Sequence, residues 1–437
     1  MGGGLIQLVA YGAQDIYLTG NPQITFFKYV YKRHTNFAIE TFRQFGIGTI
    51  KWSNKITYTI ERKADLLGPC YLEFIIEFID KNDETIHFIN IKNELLKDID
   101  DNNISKSLGY SFIDYIDIEI GGTTIDTQTG HWMAIQNELK NNFNKQINNL
   151  FLTNGFYKAS HIDNNYIVIS IPLNFWFNSN PGMYLPLVAL QFHDVKINVK
   201  LNPLDKILLS QKKIKMLNII ELNLLCDYIY LDTDERKLFA KSSHEYLIEQ
   251  IQFLPEVYSS LSNTSMITPI KFNHPVKQIV WTIHQKKNTD KLGKLWSGEQ
   301  DRIDNVKIQL NGVDRFEDKA GYYFQTIQKY NYLNGINLYK YLSETKSIYK
   351  NQFIENDTSL PIASLDPFVY NFCLNDSNNN QPSGSCNFSR LDNAVINFSF
   401  NRDIPDKLEE GLNIKIYGVN YNILKIKNGM GGILYSN

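Results

Sequence analysis

The stretch NFAIETF (residues 36–42) recurs 209 residues later as EYLIEQI (residues 245–251), with Phe37 matching Tyr246, Ile39 matching Ile248 and Glu40 matching Glu249. A repeat outranks any single motif, because missing one misassigns the whole fold. The match extends in order along the chain. LEFIIE (72–77) falls on IVWTIH (279–284), and IDIEIGG (116–122) falls on VKIQLNG (306–312), both with their apolar phase kept. QFHDVKINVKL (191–201) falls on RLDNAVINFSF (390–400), and LNLLCDYIYLD (222–232) on LNIKIYGVNYN (412–422). Alternating strands resemble one another by construction, so no one of these matches carries weight alone. Five in the same order, at offsets between 190 and 209, indicate two copies of one domain joined near residues 232 to 240.

The domain is built of strands. Ile116, Ile118 and Ile120 alternate with Asp117 and Glu119, and Val195, Ile197, Val199 and Leu201 alternate with Lys196, Asn198 and Lys200. A period of two with one apolar face is the pattern of a half-buried strand. Gly121-Gly122 and Asn311-Gly312 follow matched strands and favour the positive-φ turns of tight hairpins. Helical signals are few: the segment after Asn21-Pro22, HWMAIQNELKNNF from His131, and DTDERKLFAKS from Asp232. Asn21 as N-cap, Pro22 at the first helical position, and Lys32 and Arg33 at the end predict a first helix leading into strand 36–42. ERKLFAKSSH predicts a second such helix ahead of the second copy. Many short strands with few helices belong to sandwiches or barrels. Residues 316–385, with a Tyr- and Asn-rich run and NDSNNNQPSGSC, read as a long insertion and an exposed loop.

Composition narrows the function. The 437 residues exceed one ordinary core, and 43% hydrophobic with 21% charged residues is an ordinary globular balance. A net charge of −2 supplies no field for coating nucleic acid. Cys70, Cys226, Cys373 and Cys386 form no CxxC pair and read as reduced, mostly buried thiols. MGGGLIQLVAYG has no secretory pattern, and Ile6 stands where a myristoylation signal needs Ser or Thr. The most apolar window, YLEFIIEFI, is broken by Glu73 and Glu77 and is too short to span a membrane.

A search for chemistry finds none. The eight histidines never fall in HxH, HxxxH or HExxH spacing, which leaves a cupin-like metal site without its ligand pattern. No GxSxG elbow or Walker A loop is present; NGMGG (428–432) lacks the Lys-Ser/Thr of a phosphate loop and reads as a flexible tail. Glu73 with Glu77, and Asp232 with Asp234, read as solvated acids rather than a glycosidase dyad. KYVYKRH could present Lys28, Lys32 and Arg33 with aromatics to nucleic acid, but Phe26, Phe27 and Val30 read more simply as core and the basic residues as solvated or at an interface. Sequons at Asn103, Asn263, Asn356, Asn375, Asn387 and Asn397 arise readily in an Asn-rich chain.

With enzyme motifs absent and a sandwich duplicated, several stretches can be placed. GLIQLVAYGAQDIYLTGNPQITFFKYVYKRHTNFAIE (4–40), DYIYLDTDERKLFAKSSHEYLIEQIQF (227–253), FNHPVKQIVW (272–281), KIQLNGVDRF (307–316), QPSGSCNFSRLDNAVINF (381–398) and NYNILKIKNGMGGILYSN (420–437) resemble the major capsid proteins of large icosahedral nucleocytoplasmic DNA viruses, especially algal ones. The likeness runs end to end and departs most at residues 80–165 and 317–380.

The resemblance implies an all-β chain of two tandem eight-stranded jelly-roll sandwiches with short helices and long loops. Its parts are an N-terminal arm and helix (1–33), a first jelly roll (34–232) and a second (233–437). The implied role is a major capsid protein, not an enzyme, with no catalytic, cofactor or metal residues. It would form homotrimeric, pseudo-hexagonal capsomers that tile a virion shell with neighbouring capsomers. Minor capsid proteins and an internal membrane would lie nearby, without a transmembrane segment or direct nucleic-acid binding, and assembly would take place in the cytoplasm of the infected host. A near-sixfold unit made of three chains tiles a flat facet while leaving its two copies free to differ. Carried onto this chain, the loops of 317–380 are candidates for the outer surface or a neighbouring subunit. Residues 1–33 are candidates for the inner network, where Phe26, Phe27 and Tyr31 would pack under the first roll and Lys28, Lys32 and Arg33 would meet inner-face partners. Asn103, Asn263, Asn356 and Asn375 are candidate glycosylation sites. The competing reading is a carbohydrate-binding or carbohydrate-hydrolysing double β-sandwich displaying Trp132, Trp176 and Trp296.

Overall fold

The structure is a computed structural model that describes residues 3–80, 108–153, 166–207, 214–260, 263–285, 303–333, 335, 367–375, 381–401 and 411–436. Strand alternation becomes two sheets in each copy. The first copy contains β1 (Phe37–Gln44), β2 (Lys55–Thr59), β3 (Leu66–Asp80), β4 (Ile113–Ile120), β5 (Thr123–Thr129), β6 (Tyr166–Pro172), β7 (Val195–Leu201) and β8 (Ile214–Leu231). The second contains β9 (His244–Phe253), β10 (Ser265–Pro269), β11 (Pro275–Gln285), β12 (Ile303–Leu310), β13 (Val313–Asp314), β14 (Phe368–Asn371), β15 (Ala394–Phe400) and β16 (Leu412–Lys427). The strand orders are β1-β8-β3-β6 and β2-β7-β4-β5 in the first copy, and β9-β16-β11-β14 and β10-β15-β12-β13 in the second. Each strand thus has its counterpart eight strands later at the same place, which is the double jelly roll. All these pairings are antiparallel.

The repeat holds at the level of register. Ile118 lies opposite Ile197, and Ile308 opposite Ile396, the same residues that the sequence match equates. Their turns match too: φ is +59° and +84° at Gly121-Gly122, and +51° and +78° at Asn311-Gly312, the two consecutive positive values of a type I′ hairpin. In the other sheet the register corrects the sequence match. Leu231 faces Phe37 where Leu424 faces Tyr246, so β16 is offset from β8 by 193 residues (231 to 424) and not by the 190 of the LNLLCDYIYLD match. The register irregularities along β8 and β11 break strict periodicity there.

Alternation alone missed elements inside the expected insertion and at the tail. FVYN (368–371) is β14, buried along its whole length, inside the stretch expected to be an insertion. A four-residue strand between polar runs gives too short a periodic signal to detect. Phe324, in a π-helical turn of the same stretch (Tyr323–Ile327), is also buried, against Trp281 at a ring separation of 5.2 Å. The NGMGG tail is not a loose end. Asn428-Gly429 (φ +54° and +80°) forms another type I′ turn, and Met430–Ile433 pairs back on β16 as β17.

Residues 3–36 form a unit of their own, with short helices α1 (Gly3–Val9) and α2 (Ile16–Thr19). The helix expected after Asn21-Pro22 does not form: residues 22–36 contain a turn at 26–28 and otherwise no regular structure. Asn21 has φ +49°, not the extended backbone of an N-cap. The run ITFFKYVYK is β-branched and aromatic, with poor helix propensity, and an isolated helix of this length is marginal in water. The second lead-in helix does form, as Thr233–Lys241, with Asp232 accepting from the Thr233 N–H at 2.7 Å. Only the second roll, therefore, follows directly on a short basic helix.

Candidate functional site: the junction of the rolls and its unmatched counterpart

α3 (Gly130–Lys140) grows from the end of β5 and carries the first roll's side of a junction with the second. The Thr129 hydroxyl accepts from the Trp132 N–H at 3.1 Å and caps it. Gly130 is required by close approach: a Cβ there would lie 2.1 Å from the Tyr110 carbonyl oxygen. The apolar face of α3 buries His131, Trp132, Ile135 and Leu139. His131 Nδ1 lies 2.7 Å from the Tyr417 hydroxyl on β16, and the Trp132 and Tyr417 rings are 5.1 Å apart. The His131 and His284 rings meet edge to face at 5.4 Å. Burial first, then Lys415 and His284, hold the His131 pKa well below its ordinary value. Ile248, Val280, Tyr417, Val419, Leu424 and Ile426 of the second roll belong to the same continuous apolar core as the first roll's interior.

Polar contacts fix the register of this junction. Along β9, the Ile251 N–H donates to Asp126 Oδ1 at 3.0 Å and the Gln250 amide donates to the Ile125 carbonyl, both on β5. Burial pushes the Asp126 carboxyl up to about 6, opposed by hydrogen bonds from Gln128 and Ile251. Beside them Glu249 accepts from Lys140 of α3 at 2.8 Å and from Lys277 of β11. Burial alone would raise the Glu249 pKa, but the two ammonium groups bring it down to about 2. Lys277 is 1% exposed. On the other flank, the Phe192 N–H donates to the Gly429 carbonyl at 2.9 Å, tying the β16–β17 hairpin to the first roll.

The duplication makes β1 the counterpart of β9. β9 has a covered flank; among the described residues, β1 is exposed from Phe37 to Thr41. Ile39, equivalent to Ile248, is 56% exposed where Ile248 is 0% exposed. Glu40, equivalent to Glu249, is exposed. The same side chains that dock one roll on the other thus recur on an open edge.

The other sequence candidates fall as follows. Lys28, Lys32 and Arg33 lie together in the exposed, non-helical segment 22–36. Phe26, Phe27 and Tyr31 are 92%, 99% and 75% exposed. Asn263 and Asn375 are exposed, while Asn103, Asn356, Trp296 and residues 336–366 of the proposed outer loops lie outside the described residues. Trp132 and Trp176 are 1% and 7% exposed, which corrects their reading as displayed aromatics: each lies on a helical turn whose apolar face meets the core. Asp117 and Asn198, expected on a wet face, are buried as a cross-strand pair, with Asn198 Nδ2 donating to Asp117 Oδ1 at 2.6 Å. Among the described residues no helix is long and apolar enough to cross a membrane.

Comparison with known proteins is consistent along the whole chain. Residues 25–232 match the family model described as the major capsid protein N-terminus, and residues 235–342 and 353–432 match that of the large eukaryotic DNA virus major capsid protein. The major capsid protein of Pyramimonas orientalis virus is 37% identical over 443 residues, covering 100% of both chains. That of Paramecium bursaria Chlorella virus 1 is 31% identical over 491 residues, again covering 100% of both. Among solved structures, the chain in the PBCV-1 virus capsid superposes with a TM-score of 0.72 at 26% identity, covering 94% of this chain and 100% of that one. The Faustovirus major capsid protein, at 11% identity, shares the fold with a TM-score of 0.67, covering 95% and 94%.

Proposed function

Because the chain belongs to the major capsid protein family of large eukaryotic DNA viruses and is a structural protein of the virion shell, we propose that it assembles as a homotrimer in which each subunit's second roll docks on the open β1 edge of the next. The observation that carries this reading is the exposure of Ile39 and Glu40 at positions whose counterparts, Ile248 and Glu249, the first roll covers. Three chains so joined would place six similar rolls in a ring, repeating the internal junction between subunits with pseudo-sixfold symmetry. Domain limits of 34–232 and 233–437 fit this scheme, since the strands of one roll end at Leu231 and those of the next begin at His244.

The role is passive: no chemistry is assigned to any residue, and the shell needs only complementary surfaces. Residues 1–33 would face inward with Lys28, Lys32 and Arg33 meeting minor capsid proteins, and the surfaces around Asn263 and Asn375, with Asn103 and Asn356, would be the places to look for glycans. The paired substitution Ile39→Asp with Glu40→Lys tests the trimer. We expect a folded chain with an unchanged far-ultraviolet spectrum and the mass of one subunit, whereas a trimer of undiminished stability would reject β1 as the contact. Neutralising Lys28, Lys32 and Arg33 together should leave trimers intact and impair shell assembly; normal shells would remove them from the inner contact.

A further inference from the structure

Two of the four cysteines, 156 residues apart in sequence, meet inside the first roll: Cys70 on β3 and Cys226 on β8 sit opposite each other in the antiparallel ladder with their Sγ atoms 3.4 Å apart. Residues opposed in this way hold their Cα atoms about 4.5 to 5.5 Å apart, within the range of about 4.4 to 6.8 Å that a disulfide bridges. The ladder is loose at this point. Its register slips between Cys226 and Tyr228, Gly68 and Pro69 pair with no residue of β8, and proline supplies no N–H. The sulfurs lie 3.4 Å apart where a disulfide needs about 2.0 Å, a gap that side-chain rotation at directly opposed positions can close. Cys70 Sγ also donates to the Gly68 carbonyl at 3.6 Å, and the Asn178 side chain interacts with the same thiol.

We infer that Cys70 and Cys226 form a disulfide-bonding pair, a staple across the two central strands of one sheet of the first roll. The oxidant is a small-molecule disulfide of the glutathione type. One cysteine thiolate attacks a sulfur of glutathione disulfide, forming a mixed disulfide and releasing one glutathione thiolate. The second cysteine, deprotonated, then attacks the protein sulfur of the mixed disulfide, forming the Cys70–Cys226 bond and releasing a second glutathione. Two electrons pass from the protein to the glutathione disulfide, and the two thiol protons end on the two glutathiones. Both thiols are buried, at 1% and 0% exposure, and burial raises the Cys70 pKa further from the reactive thiolate. Exchange belongs to the folding chain, before β3 and β8 close over the sulfurs; once made, the bond is shielded from reductant by the same burial.

The second roll has no equivalent. The ladder of its corresponding strands places Val276 opposite Asn420 and Gln278 opposite Val419, and Cys386 faces Val276 instead. The staple encloses β4 to β7, so it would stabilise the roll that supplies α3 to the junction and leave its partner unconstrained.

The test uses the full chain, unfolded under reducing conditions and refolded in a glutathione redox buffer, then denatured, alkylated and mapped by mass spectrometry. The expected result is two alkylated cysteines of the four, one linked peptide pair joining Cys70 to Cys226, and a thermal midpoint that falls on reduction with dithiothreitol. Cys226→Ala should leave the remaining thiols free and the midpoint insensitive to dithiothreitol. Four alkylated cysteines after refolding, or a link from Cys70 or Cys226 to Cys373 or Cys386, would overturn the inference. Mapping of the unsubstituted chain decides the matter even if the variant fails to fold. The readout is a covalent bond, so it is independent of whether the chain forms trimers.

Discussion

Changing Glu249 to Gln removes the carboxylate that Lys140 of the first roll and Lys277 of the second share, and so takes one anionic partner from the Lys277 ammonium, which is 1% exposed. Two views of the same interaction give the order of the effect. A carboxyl held at about 2 against an ordinary 4.5 is worth about 3 kcal/mol of stability at neutral pH. Removing one partner of a buried ion pair costs about 3 to 5 kcal/mol, because the remaining charge stays buried. The expectation is a loss of about 3 kcal/mol. Since the native pKa is depressed, this contribution is fully present above the unfolded value of 4.5 and is lost as pH falls from there towards 2. Urea unfolding of the Gln variant at pH 7 should therefore show a lower midpoint with an unchanged slope, and its stability should vary less with pH between 4.5 and 2. Replacing all three residues together by apolar ones of similar volume should restore most of the loss. A loss below about 1 kcal/mol for Glu249→Gln in a folded protein would refute the triad as a clasp between the rolls.

Two further outcomes follow from the same junction. His131 is kept neutral by burial, so the folded state binds its proton less readily than the unfolded one. Its contribution to stability should be level above pH 6.5 and fall below it by up to about 1.4 kcal/mol per pH unit, against an opposite slope below pH 6 from Asp126, which is pushed up to about 6. Thermal midpoints of the unsubstituted protein and His131→Gln between pH 7 and 5 would show this as a slope that the variant loses. Gly130→Ala forces a Cβ to 2.1 Å from the Tyr110 carbonyl oxygen and should cost about 1 to 3 kcal/mol by displacing the start of α3; an unchanged urea midpoint would show that the backbone yields freely there.

The fold was legible wherever a strand was long and half-buried. Ile116, Ile118 and Ile120 alternate because one face of β4 meets the core, and the Gly121-Gly122 and Asn311-Gly312 turns announce themselves through residues that tolerate positive φ. The duplication was legible for the same reason: the match equates Ile118 with Ile308 and Ile197 with Ile396, and these residues pair in equivalent ladders. Local signals failed where tertiary context decides. FVYN is a strand because β11 pairs with it, and ITFFKYVYK is not a helix because a cap cannot offset its poor propensity without a packing partner. Trp132 and Trp176 looked available for ligands because sequence does not say which way a short helix turns. The junction was half visible: the match of Glu40 to Glu249 was in the repeat, but that Lys140 and Lys277 converge on only one of them depends on contacts between rolls. Cys70 and Cys226 read only as reduced, buried thiols, because their approach across β3 and β8 has no trace in spacing.

The central claim, that one duplicated chain makes a six-lobed unit from three copies, is tested most directly by light scattering of the purified protein combined with electron microscopy of the same fraction. The account predicts a mass of three times 50.7 kDa and ring-shaped particles with hexagonal outline. A species of one subunit mass across salt and protein concentration, with no ring in the images, would contradict it.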